Sequence, residues 1–517
     1  MTNNFEKTQE EIQGFSLIAK GAGVSLLGSV FGKIFALFSQ VIIARCLGPA
    51  LLGIYGILVM ILSFFSVIFK WGLDLVAPRF IPEYQVKNEK EKLKGFIWFT
   101  VLFSFLFSLL GVLILVFSKD FLEEFFKKKG LAEGVFWFSF SLPLLILTTL
   151  LGAITRGFKV IRYEAFGNSF LKPFFQFLVV FVFLYFLGWK LKGVILGYFL
   201  ASLFALFYLF WGLRKIFPQV FSLSPLKIEA KKILKAGFFV TIASLFSFIG
   251  TQLDIFLLGY FKPAKIVGFY KCALGISSLM LFLGMAFNSL FLPLISESYQ
   301  KRDSRALAKY FKTATRWQFY SALIFGTIVF LSYKEILLVF GKEFLLAKSA
   351  LFLLILAQII NLFLGSTGGI LVMIKKEKWE TFNNFFFLGT NLILGLILIP
   401  KFSLLGASLM ILIGLSLSKI LRLIEVYKFL KIHPFELKML KGVLASILSF
   451  GIAFLIKKSF FSSLHYVLNI FLSSLVLFFT FIFFLFLFKI EKEEKILLQK
   501  FFYKILKGKN NLFHHGS

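Results

Sequence analysis

Long apolar stretches alternate with short charged ones along the whole chain. Fourteen predominantly apolar runs lie near 22–45, 50–71, 95–117, 133–154, 168–188, 191–213, 236–259, 266–291, 314–333, 347–373, 380–400, 404–426, 439–456 and 466–488. Each is close to the roughly 20 residues a helix needs to cross about 30 Å of hydrocarbon. Continuous runs parted by charged turns fit helices, whereas a membrane barrel would alternate apolar and polar positions in segments of about ten residues. The pattern predicts an all-α polytopic membrane protein with about fourteen transmembrane helices.

The runs also repeat. Pro49-Ala-Leu-Leu-Gly53-Ile-Tyr55 returns as Pro263-Ala-Lys-Ile-Val-Gly268-Phe-Tyr270, Pro78 and Tyr84 return as Pro293 and Tyr299, and Arg162-Tyr-Glu164-Ala-Phe166-Gly-Asn168 returns as Lys378-Trp-Glu380-Thr-Phe382-Asn-Asn384. From Gly53 to Gly268 the offset is 215, and the last motif follows at 216. An apolar chain duplicated at this spacing points to a two-lobed transporter, with the substrate path between the halves. The offset spans six helices, an even number, so the second lobe enters from the same side. The lobes are then related by a pseudo-twofold axis along the membrane normal. The predicted organisation is an N-lobe over 1–213, a basic linker over 214–235, a C-lobe over 236–426, two further helices within 427–489 and a tail over 490–517.

Composition supports lipid as the main solvent: 59% of the 517 residues are hydrophobic and 16% are charged. The net charge of +32 could mark a nucleic-acid binder, but Lys and Arg concentrate in the loops on the N-terminal side. That distribution follows the positive-inside rule and predicts cytoplasmic termini in a bacterial-type inner (cytoplasmic) membrane, with no nucleic-acid partner. The polar, acidic start, Met1 to Gly14, predicts no cleavable signal peptide. In the tail, Ile496, Leu497, Phe501, Phe502, Ile505 and Leu506 form a stripe opposite lysines, which predicts a helix lying on anionic membrane lipids. An interfacial amphipathic helix is expected within the outside loop from Lys119 to Glu133. Two cysteines, Cys46 and Cys272, and four histidines confined to loops and tail give no disulfide framework, metal site or cofactor site.

Charges inside the bilayer cost about 2.5–3.5 kcal/mol each on insertion scales and therefore carry functional weight. Lys33, near the middle of the first run, reads either as a substrate-contacting cation or as a lysine buried between helices. Asp254 and Lys271 stand at matching depth on either side of the turn at Lys262, which favours a mutually neutralising pair, able to gate an anionic substrate, over two independent site residues. Asp74 and Arg79 follow the second run at the inner mouth, Arg45 ends the first run as an anchor or a site residue, and Lys419 and Arg422 are expected to snorkel. Gly28 and Gly32 fit either close helix packing or a bend between transport states.

The stretch Ala44-Arg-Cys-Leu-Gly48-Pro49-Ala-Leu-Leu-Gly53-Ile-Tyr55-Gly56, then Gly72 to Arg79, Asp254 to Tyr270 and Ile399-Pro400-Lys-Phe-Ser-Leu-Leu-Gly406-Ala407 resemble the polysaccharide-biosynthesis (O-antigen type) oligosaccharide flippases. These belong to the superfamily that also holds multidrug and toxin extruders and lipid II flippases. The resemblance implies a substrate of polyprenyl-pyrophosphate-linked glycan, moved from the inner to the outer leaflet by alternating access through a cationic cavity. It leaves Na+ or H+ open as the coupling ion. Lys33, Arg45, Asp74, Arg79, Asp254 and Lys271 are the candidate substrate-binding residues. Fixed cations suit a pyrophosphate crossing a low-dielectric layer. A cation-coupled multidrug extruder of the same superfamily, which would want carboxylates near the midplane, is an alternative reading. A membrane glycosyltransferase or ligase is another, although the outside loops are short for catalytic work.

Overall fold

The computed structural model describes the backbone of residues 2–222, 225–461 and 464–488, and side chains from residue 28 onward, Phe221 aside. The expected helix in the tail over 490–517 lies outside these. In the first lobe the helices are α1 (Thr2–Phe69), α2 (Leu73–Val86), α3 (Lys90–Phe117), α4 (Lys119–Phe126), α5 (Leu131–Ser139), α6 (Ser141–Gly157), α7 (Ile161–Glu164), α8 (Lys172–Tyr185) and α9 (Lys190–Ile216). The second lobe holds α10 (Ala230–Phe261), α11 (Ala264–Gln300), α12 (Ser304–Phe340), α13 (Lys348–Phe363), α14 (Thr367–Met373) and α15 (Glu377–Leu430). Two last helices, α16 (Met439–Ile456) and α17 (Tyr466–Leu487), follow. No strand occurs among the described residues.

Eleven helices are long and apolar enough to cross a membrane, or twelve when α5 and α6, bent by 47°, count as one broken span. Two of those spans fold back on themselves, which brings the crossings to fourteen. The first reversal is at Gly48 (φ 72°) in α1, a left-handed backbone that glycine adopts without a Cβ penalty, followed by Pro49 where a helix start tolerates it. Residues on both sides of it meet the same stretch of α11: Gln40 donates to the Lys271 carbonyl and Gly56 lies against the Lys271 side chain. The second reversal is at Ser403 (φ 55°) in α15. There Gly414 meets Asn391, Gly406 meets the Leu398 carbonyl and Asn383 bonds Glu425, all nearly equidistant from the turn.

The repeated motif builds the contact between the lobes. A Cβ on Gly53 would stand 1.9 Å from the Ala264 carbonyl oxygen, and one on Gly268 would stand 1.8 Å from the Pro49 carbonyl oxygen. The offset of 215 exchanges these two contacts, since it carries 49 to 264 and 53 to 268, so the pseudo-twofold axis passes through this crossing. It lies on the face opposite the C-terminal end of α17 and seals that face with main chain against main chain.

The helix expected in the loop after α3 is α4. It does not lie free on lipid: Phe126 packs edge-on against Phe256 and Phe125 lies 5.1 Å from Tyr260, both on α10 of the other lobe. Glu123 of α4 accepts the Ala132 backbone N–H at 2.7 Å and so caps α5. On the terminal face the linker is tied to the first lobe, with Lys227 bonded to Glu91 and Glu229 bonded to both Lys92 and Tyr84. Helices α16 and α17 lean on α12 through clusters around Tyr320 and Phe481 and around Leu331, Ala453 and Leu477.

Candidate functional site

The first arm of α1 faces α11 across the space between the lobes. Gln40 fits there because residue 275 is glycine; a Cβ at Gly275 would lie 2.2 Å from the Gln40 amide oxygen. Two turns earlier, Lys33 is exposed, its Nζ 5.7 Å from the centre of the Phe282 ring on α11. Lys271, half-buried, lies along Gly56, whose Cβ would be 3.6 Å from its side-chain carbons. Gly56 and Lys271 are themselves related by the offset of 215, so one long side chain occupies space that two could not share. Lys33 and Lys271 are near enough for their charges to act on each other. Neither has a carboxylate within ion-pair distance among the described residues.

The expected Asp254–Lys271 pair does not form. Asp254 is 3% exposed and accepts the Tyr270 hydroxyl at 2.6 Å and the Ile255 backbone N–H at 2.8 Å. The hairpin turns at Lys262, so the mate eight residues on is Tyr270. Lys271 is one step further round the helix, aimed toward the first lobe. Asp254 still contributes charge near Lys271 but is held inside the hairpin. Arg45 is engaged as a brace: its Nε donates to the Val339 carbonyl at 2.6 Å and its Nη2 to the Leu338 carbonyl at 3.2 Å and to the Tyr466 hydroxyl. Asp74 pairs with Lys70 at 2.8 Å, and Arg79 is exposed at the terminal face over the Phe80 ring. The six candidate residues therefore do not share one chamber. Lys33 and Lys271 border the same space between the lobes, within range of each other's charge, and Asp74 faces a different cavity.

That cavity, about 430 Å³ inside the first lobe, is lined by Asp74, Thr148, Arg156, Glu164, Asn168 and Lys172 among others. Arg156 pairs with Glu164 at 3.2 Å, Asn168 donates to the Thr148 carbonyl at 3.0 Å, and Lys172 donates to the Tyr198 hydroxyl at 3.2 Å. A π-helical turn, Ala165–Leu171, offsets Glu164 from Lys172. Against this same turn α1 packs by its glycines, where a Cβ on Gly32 would stand 1.5 Å from the Ser169 carbonyl oxygen. Gly28 and Gly32 are thus packing positions in this state, within an unbroken helix.

In the second lobe the repeated Glu380 and Asn384, on the first arm of α15, receive an arginine from its second arm. Arg422 donates to both Glu380 carboxylate oxygens, at 2.8 and 2.9 Å, and to Asn384 at 2.9 Å. Arg422 is therefore 8% exposed in the core and does not snorkel. Lys419 does not snorkel either; it donates to the carbonyl of Gly365 at 2.9 Å, where α13 breaks and an unpaired carbonyl is available. Lys172 lies inside the fifth apolar run and could have been found there. The Glu-Asn pairs were in view as a repeat, but only Glu164 has its arginine nearby in sequence, Arg156 on α6; the partner of Glu380, Arg422, lies on the second arm of α15, 42 residues on.

Two six-helix lobes about an axis normal to the membrane, with unpaired cations between them, define a multi-pass membrane transporter. The chain belongs to the polysaccharide biosynthesis protein family, whose pattern matches residues 18–299, and the MatE family matches residues 240–397. Both place it in the MOP superfamily of flippases and exporters. It is 24% identical over 416 residues to an uncharacterized membrane protein of Methanocaldococcus jannaschii, covering 76% of this chain and 81% of that one. Among solved structures it is similar to the lipid II flippase MurJ in an inward closed conformation, at 18% identity and TM-score 0.71 over 89% of this chain and 98% of that one. It is also similar to an inward-facing multidrug resistance MATE family transporter, at 15% identity and TM-score 0.62 over 79% and 98% of the two chains. A MOP superfamily transporter from Pyrococcus furiosus matches at 16% identity and TM-score 0.54, over 80% and 95%.

Proposed function

We propose that the chain is a flippase that carries a polyprenyl-pyrophosphate-linked oligosaccharide from the cytoplasmic to the outer leaflet by alternating access, and that it is not an enzyme. The observation that carries this reading is that Lys33 and Lys271 face the space between the lobes from opposite sides, near enough for their charges to interact, with no carboxylate at ion-pair distance from either among the described residues. Two like charges facing one low-dielectric space repel unless an anion lies between them, and a diphosphate supplies adjacent negative oxygens. Each of the acids nearest the path is already engaged: Asp254 by Tyr270, Asp74 by Lys70, Glu164 by Arg156 and Glu380 by Arg422. That balance favours an anionic cargo over a cationic drug. The termini are taken to be cytoplasmic on the strength of the lysine-rich loops, so the sealed face is the outer one and the site opens inward, toward the leaflet where the cargo is made.

The test is transport in proteoliposomes loaded with a fluorescent polyprenyl-pyrophosphate oligosaccharide. Charge-assisted hydrogen bonds contribute about 1.5–3 kcal/mol, so Lys33→Ala and Lys271→Ala should each slow flipping roughly tenfold or more, with Lys33→Arg restoring most of it. Unchanged flipping in both alanine variants, at equal protein abundance, refutes the reading. Loss of drug efflux in an Asp254→Asn variant, with Lys33→Ala silent, would instead support a multidrug extruder.

A further inference from the structure

A cavity of about 820 Å³ opens on the sealed face, within the first lobe and away from the path between the lobes. Leu51 and Ile54 from the second arm of α1, with Ile195 and Phe199 of α9, form its floor, and Trp137 and Trp189 are its walls. Both indoles are about half exposed, at 47% and 48%. Lys129, Lys190 and Lys192 stand around it with a single carboxylate, Glu133, which Lys192 already holds at 2.7 Å. Lys129 and Lys190 have no anionic partner among the described residues. The second lobe does not carry the same feature, because the repeat turns Trp137 into Phe352 at the offset of 215, and Trp189 and Lys190 into Leu405 and Gly406 at the offset of 216. The fold therefore does not require it.

The lining selects the class of ligand. A glycan needs polar partners for many hydroxyls, and this cavity offers only one carboxylate, already paired. It offers instead an apolar floor at the depth of acyl carbon, indoles at the interfacial level and two free ammonium groups at the level of headgroups. We propose that it binds an anionic phospholipid of the leaflet on that face, its phosphate held by Lys129 and Lys190 and its glycerol and upper acyl carbons against Trp137, Trp189 and the floor. The consequence is mechanical. Leu51 and Ile54 flank Gly53, so a bound lipid backs the α1 arm against α11 and supports the seal.

The experiment is native mass spectrometry of the purified full-length chain with phosphatidylglycerol, phosphatidylcholine or inorganic phosphate. Each lysine near an anionic headgroup contributes about fivefold to binding, so Lys129→Gln/Lys190→Gln should bind phosphatidylglycerol about thirtyfold more weakly and phosphatidylcholine unchanged. Both substitutions are at exposed, unpaired positions. Trp137→Ala should weaken both lipids. The proposal is overturned if the double variant retains phosphatidylglycerol like the unaltered chain, if the two lipids bind the unaltered chain equally, or if inorganic phosphate displaces the lipid at equal concentration.

Discussion

Enlarging the two glycines on the pseudo-twofold axis should open the sealed face. A Cβ on Gly53 or Gly268 would stand 1.9 or 1.8 Å from a backbone oxygen, and such contacts begin at 3.0–3.4 Å. For Gly53 the opposing helix must retreat by 3.0 − 1.9 = 1.1 Å up to 3.4 − 1.9 = 1.5 Å. The obstacle is main chain, so no side-chain rotation relieves it. Overpacking of this size costs about 1–3 kcal/mol, and the whole of it falls on the state in which the lobes touch here. Gly53→Ala and Gly268→Ala should each raise the population open on this face by roughly fivefold to 150-fold. The assay is labelling of Ser278→Cys, on α11 below the seal, by a membrane-impermeant maleimide added from the sealed face, in a background lacking Cys46 and Cys272. Labelling should be faster in both glycine variants, with thermal stability in detergent changed far less than labelling. An unchanged labelling rate in both would refute a seal made of backbone at this crossing.

Arg422→Ala strands Glu380 in the core and should cost about 3–5 kcal/mol of stability, read as a lower melting temperature; adding Glu380→Leu should recover part of the loss, and strictly additive losses would count against the pairing. Arg45→Ala removes three hydrogen bonds between the first arm of α1 and the α12 and α17 region, so it should also raise Ser278→Cys labelling, by less than the glycine variants do, since Arg45 is exposed. Hydrogen bonds from Lys92 and Tyr84 hold the Glu229 carboxyl down at about 2, below its ordinary 4.5. Its tie between linker and first lobe is therefore complete above pH 4.5 and is lost as pH falls toward 2. Limited pepsin digestion should cut the linker more readily at pH 2.5 than at 4.5, and Glu229→Gln should remove most of that difference.

The sequence carried the frame of this fold because hydrophobic length and a tandem repeat are properties of the chain itself. Runs of membrane-spanning length, Gly48-Pro49 and the offset of 215 were enough for the crossings, the reversal and the axis. Depth was legible too, since counting from Lys262 placed Asp254 near its partner. Azimuth was not: Tyr270 and Lys271 differ by one step of about 100°, and that step decides which of them bonds Asp254. The site was harder still. Arg156 meets Glu164 across a short turn, but Arg422 meets Glu380 only because α15 folds back at Ser403, a left-handed serine with no glycine to announce it. Lys419 and Arg422 look like interfacial cations until the broken end of α13 and the Glu380 carboxylate are placed beside them.

The packing of Gly32 onto the π-helical turn of the first lobe has a consequence for how cargo would leave. It fastens Lys33 to one rigid body, while Lys271 belongs to the other. On the proposed function a diphosphate is chelated only while the lobes lie together on that side. Rocking them apart changes the distance between the two ammonium groups, and the site passes from a two-point grip to a one-point grip. Affinity then depends on conformation, and the cargo is released by the same movement that exposes it to the far side.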